Sequence, residues 1–316
     1  MDGVRKIALL FAALLACSLP ALAQNPKFEN TTGVVTIPIE VDNNLIRMEI
    51  RVNRSRPLKF LFDTGASMTL IDERFVKELG LIVSGTLKGS ATGGKFVGSY
   101  IKSSTLSVDG AEVTGQPLAA SAMNAPEGFG FDGVIGYDFI KAFVVELDYQ
   151  KKEMRLYDPA KYRYSGKGTV IPLNLKARKT PTLPITFRAK GLAPFVEAVQ
   201  LDTGFDAAFL INEPVVTRRA LLKHFLTRTE RAGHGLGGEQ RRILVDFGLV
   251  SMGRFAFTKA PVFLSLDKGR SGDDVGGIVG GEVLRRFKLI IDYSRSRMIL
   301  EPNSDLKTAF DVEGGI

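Results

Sequence analysis

The chain of 316 residues holds one cysteine, Cys17, two histidines and no tryptophan. One thiol cannot close an internal disulfide, so stability must come from core burial. With His224 and His234 as the only histidines, an H-E-x-x-H zinc site is absent, and a Ser-His-Asp triad has little to draw on. No G-x-S-x-G occurs either. The net charge of +8 is spread along the chain without a basic block interleaved with aromatics, which argues against a nucleic-acid surface. Two G-x-G-x-x-G matches, at 128–133 and 233–238, lack the strand–helix setting of a dinucleotide site. The expectation is a protein that needs no metal, cofactor or nucleic acid.

What is present is an ordinary globular composition, 45% hydrophobic and 24% charged, in a chain long enough for two medium domains. The first residues read as an export leader. Arg5 and Lys6 precede an apolar run from Ile7 to Leu15, and Ala21-Leu22-Ala23 supplies small residues for cleavage. The run is shorter than the ~20 residues a membrane span requires. Cleavage after Ala23 is the favoured reading and places the protein in a periplasmic or extracellular space. The stretch "LLAC" offers an alternative, a membrane-anchored lipoprotein lipidated at Cys17.

Residues 60–72 read "FLFDTGASMTLID": an Asp-Thr-Gly between two apolar runs. Taken alone, it is a turn between strands. Residues 199–212, "VQLDTGFDAAFLIN", repeat the arrangement. Further on, "GVIGYDFIKAFVVELDYQKKEMRL" from residue 133 aligns without gaps on "GIVGGEVLRRFKLIIDYSRSRMIL" from residue 277. The parts recur in the same order at nearly the same spacing, which marks an internal duplication. Most segments are short and β-branched, and read as strands. Helical patterns are few, at about 72–79, 137–142, 214–226 and 281–286. The expected layout is a leader over 1–23, one β-rich lobe over 33–158 and a polar linker over 159–168. A second lobe follows over 169–302, then a tail over 303–316 that has no strand pattern and is expected to trail off from Asn303.

Two carboxylates on equivalent loops of paired lobes have an evident use. If Asp63 and Asp202 meet at a pseudo-twofold axis, they cannot both ionise cheaply and must share a proton. One can then activate a water while the other donates a proton to a carbonyl under attack. Gly65 and Gly204 let backbone pass close by, and Thr64 and Thr203 hydroxyls can bond across the axis.

The segments "DTGAS", "DTGFD", "DGVIG" and "GGIVG" resemble the aspartic peptidases of the retropepsin and pepsin clan, especially bacterial exported retropepsin-like proteins. The resemblance covers nearly all the mature chain. It implies an all-β acid-protease fold, two lobes with the active site between them, and endopeptidase activity on peptides or proteins by a monomer. Carried over residue by residue, Asp63 and Asp202 are the catalytic pair, and Thr64, Gly65, Thr203 and Gly204 support it. Val134-Ile135-Gly136 and Ile278-Val279-Gly280 pass beneath. Ser67 and Asp206 fall where substrate backbone is bound, and Gly93, Gly94, Gly235 and Gly237 fall where flaps would close. One departure is Phe205, bulky where a small or hydroxyl residue is usual. It keeps open a second reading, a catalytically weak peptide-binding protein on the same fold.

Overall fold

The computed structural model describes residues 25–91, 94–123, 130–175, 180–225, 229–235, 238–267 and 275–311. The expected leader, with Cys17, lies outside them, as do Gly93 and Gly237. Among the described residues, the strands form two nine-stranded sheets and one of six. Period-two alternation explains them locally. In Leu45–Val52, Ile46, Met48, Ile50 and Val52 are at most 2% exposed, while Arg47, Glu49 and Arg51 point the other way.

The six-stranded sheet joins the halves. Its order runs Thr169–Pro172, Arg297–Pro302, Phe287–Asp292, Val144–Asp148, Glu153–Tyr157, Val34–Pro38, with three strands from each half. At its centre Val144 pairs with Asp292, Glu146 with Ile290 and Asp148 with Lys288. Under the gapless alignment Glu146 and Ile290 are equivalent positions, so they sit on an approximate twofold axis. Each nine-stranded sheet hangs from this base as a lobe.

Each lobe carries the same crossing. Gly133–Ile135 runs parallel to the end of Leu58–Phe62, and Gly277–Val279 runs parallel to the end of Phe195–Leu201. These three-residue strands are apolar and largely buried, as a strand covered on both faces must be. Each lobe also raises a hairpin. Ala91 pairs with Gly94 in one, and Gly235 with Gly238 in the other. Gly94 and Gly235 thus stand on hairpin strands, 144 residues from their counterparts at 238 and 91.

Two expectations change, and a third segment gains detail. The helical pattern over 214–226 becomes two short helices, Glu213–Arg218 and Leu221–His224, because Ala220 turns left-handed at φ 51° between them. The segment expected as a linker is packed: Tyr162 is buried, and Tyr164 donates its hydroxyl to Glu301 at 2.7 Å. The tail does not trail off from Asn303. Ser304–Lys307 forms a 3-10 turn, and the fully buried Arg286 donates to the carbonyls of Asp305, Thr308 and Ala309. Its guanidinium also pairs with Glu282 at 2.7 Å and lies 3.9 Å from the Phe310 ring centroid.

Candidate active site

Each Asp-Thr-Gly follows directly on a buried strand end, which fixes where its carboxylate points. The Asp63 amide donates to Ile135 O and the Asp202 amide to Val279 O, both at 3.0 Å. The short crossing strands therefore hold the two loops from below. The glycines that end those strands are required. A methyl at Gly136 would stand 2.5 Å from Met68 O. One at Gly280 would strike the carbonyls of Ala207 and Phe205.

The threonines close the centre. Thr64 N–H donates to Thr203 Oγ1 and Thr203 N–H to Thr64 Oγ1, each at 3.1 Å. Thr64 Oγ1 in turn donates to Leu201 O at 2.7 Å, and Thr203 Oγ1 to Phe62 O at 2.8 Å. Both side chains are fully buried, so each hydroxyl satisfies an amide and a carbonyl that have no access to water. The four bonds form a closed, reciprocal clamp between lobes.

The carboxyls themselves sit above this clamp, partly open to the cleft. Asp63 Oδ1 accepts from Gly65 N at 2.7 Å and Ala66 N at 3.1 Å, and Asp202 Oδ1 accepts from Gly204 N at 2.9 Å. The glycines again admit no substitute. A methyl at Gly65 would lie 2.5 Å from Asp202 Cγ, and one at Gly204 the same distance from Asp63 Cγ. Each loop thus packs against the carboxyl of the other. The acids share a hydrogen bond, and burial pushes both upward from 3.8. Asp202 rises further, because the Asp63 charge and the shared bond add to its burial. Bonds from Asp202, Gly65 and Ala66 hold Asp63 back. The arrangement favours one proton shared by the pair, an acid and a base within one hydrogen bond.

Of the other expected residues, Ser67 is exposed beside the first loop. The main-chain oxygen of Asp206 accepts from Asn44 Nδ2 of the first lobe at 2.9 Å. Phe205, three residues after Asp202, is partly buried and packed against Ala207, Leu210 and Phe263. Three residues not singled out from sequence also converge here. Asn44 tethers the lobes. Gln200 Nε2 lies 3.3 Å from Gly65 O and 3.5 Å from Asp202 Oδ2. Arg242, from the second hairpin, lies over Phe263 with its Cζ 4.4 Å from the ring centroid. Position 200 shares a strand face with Asp202, so its polarity was a usable signal. Among the described residues, no group of three or more His, Cys, Asp or Glu side chains is placed to hold a metal.

Residues 48–139 match the sequence model of the aspartyl protease family. Among solved structures, the aspartic proteinase from Irpex lacteus is similar with a TM-score of 0.57 and 14% identity, over 88% of this chain and 100% of that one. No curated protein matches the chain. The fold is accordingly that of a pepsin-like aspartic proteinase, with two β-rich lobes. The match within the first lobe supports an aspartic protease family.

Proposed function

We propose that the protein is an aspartic endopeptidase working through Asp63 and Asp202. The observation that carries this reading is the reciprocal contact of two hydrogen-bonded carboxyls with the two glycine loops. Asp63 takes a proton from a water held between the carboxyls, and the water oxygen attacks the peptide carbonyl carbon. Asp202 gives its proton to the carbonyl oxygen, so a neutral gem-diol forms without a free oxyanion. On collapse, Asp63 passes its proton to the leaving nitrogen, and Asp202 recovers one from a gem-diol hydroxyl. Atoms and charges balance with no metal, cofactor or covalent enzyme intermediate.

The leader supports export to a periplasmic or extracellular space, released after Ala23 or anchored at Cys17. Two matched halves in one chain support a monomer with a complete site, descended from one duplicated unit. The deciding experiment is a peptide-library digest by the purified mature protein from pH 3 to 8, beside Asp63→Asn. Cleavage by the wild type alone supports the reading. Peptides bound and never cut would replace it with a peptide-binding protein, the reading that Phe205 suggests.

A further inference from the structure

The walls flanking the two carboxyls are built from equivalent positions and differ in chemistry. Strand pairing fixes the equivalence. In the first lobe Val134 pairs with Leu70, Leu70 with Ala119 and Ala119 with Tyr100. In the second, Ile278 pairs with Leu210, Leu210 with Phe263 and Phe263 with Leu244. Two residues upstream along each hairpin strand, Gly98 corresponds to Arg242. Counted from the aspartates, Leu61 corresponds to Gln200 and Ala66 to Phe205.

The first-lobe wall has an apolar floor, where Leu61 and Val134 pack with Leu45, Ala66, Met123 and Phe131, with Tyr100 at the position that Leu244 holds in the second lobe. In the second lobe the ring and aliphatic floor remains, but polar groups edge it. Gln200 takes the place of a leucine and turns its amide toward Asp202 and Gly65. Arg242 takes the place of a glycine and spreads over Phe263 and, at 5.9 Å, over Phe205. Burial lowers the pKa of its guanidinium, and the Asp206 carboxylate offsets part of that shift.

We propose that Gln200 makes the cleft two-sided: an apolar substrate side chain seats on the first-lobe wall, and an uncharged hydrogen-bonding one (Gln, Asn, Ser or Thr) on the second. The inference rests on reading the cleft as a peptide site. Gln200 Nε2 is already engaged by Gly65 O and Asp202 Oδ2, so an apolar side chain on the second wall would cover the amide's acceptor oxygen, which a hydrogen-bonding partner can satisfy. A carboxylate fares no better there. Asp206 offsets part of the Arg242 charge, and the two aspartic acids of the dyad would repel a third charge at close range.

The test scores both sides of every cut made in a random peptide library by the full-length mature protein. The expected profile is apolar on one side, with Gln, Asn, Ser and Thr about tenfold over Leu on the other. Gln200→Leu should make the second side apolar and leave the first unchanged. An apolar preference on both sides of the wild type, an acidic preference on the second, or an unchanged Gln200→Leu profile would overturn the inference. Capture of the same library on Asp63→Asn protein separates it from the chemistry. Enrichment of the two-sided pattern on this variant, together with a wild type that cuts nothing, removes the peptidase reading and keeps the two-sided cleft. Cutting with apolar residues on both sides keeps the peptidase and removes the two-sided cleft.

Discussion

Laid over one another, the two lobes agree in backbone and part company in side chains. Both present strand, Asp-Thr-Gly, crossing strand and hairpin with the same pairings. Yet Leu61 faces Gln200, Ala66 faces Phe205, and Ala142 faces Arg286 across the same twofold relation. The shared features are those the dyad cannot do without: amides that grip each carboxyl, glycines that admit the other loop, threonines that clamp both. The unshared ones lie in the cleft walls and at the outer end of the second lobe. Side-chain symmetry is kept at the dyad and in parts of the shared six-stranded sheet, as at Asp148 and Asp292, and is lost in the cleft walls and at the tail.

The strongest test of the shared part is to remove one carboxyl at a time. Asp63→Asn and Asp202→Asn should each lower kcat/KM by roughly 1,000-fold or more, and the double variant should be hardly worse. Retained turnover in Asp202→Asn would make the second lobe catalytically idle and break the comparison outright. The unshared part is probed by Arg286→Ala, which removes one of the two arginines paired with the buried Glu282 and unfastens the tail. It should cost about 2–3 kcal/mol in chemical unfolding through the lost buried hydrogen bonds, whereas nothing comparable exists to remove at Ala142.

Next in size come Gly65→Ala and Gly204→Ala. Each added methyl meets the opposite carboxyl at 2.5 Å, so the two should fail alike, by about 100-fold in kcat. A large difference between them would show that only one carboxyl is held by its neighbour's loop.

The smallest effect is a dependence on pH. Both aspartates are pushed above 3.8 in the native state, so that state holds more protons than the unfolded chain over the pH range above 3.8. Stability contributed by the pair is present at lower pH and declines as pH rises through the native values. Asp202→Asn should therefore melt higher than wild type at neutral pH, with the gap closing as pH falls toward 4. A gap independent of pH would locate its cause outside the carboxyl pair.

How much of this was legible in the sequence follows from what each feature asks of the chain. The dyad, its glycines and the crossing strands are local demands on backbone, and they leave a repeated pattern at repeated spacing. Gln200 was visible but passed over, because a strand reading weighs Val199 and Leu201 and treats the residue between them as the outer face. Here the outer face is the cleft. Arg242 was not legible, since its place depends on which distant strand its hairpin lies against. The tail was misread for a similar reason. It lacks apolar periodicity because a buried cation and main-chain carbonyls hold it, with Phe310 as its sole ring anchor. The split helix shows a local limit, where one left-handed residue, Ala220, interrupts an otherwise helical composition.

The threonine clamp also constrains how the protein is made. Its bonds join residues 139 apart in sequence, and the partner of each hydroxyl belongs to the other half of the chain. Contacts of such long range close late, after the local hairpins and each half's own sheet have formed. A chain still emerging, or cut between its halves, has one carboxyl and an open loop. On the proposed reading, hydrolytic power therefore arrives only once both halves have been made and docked.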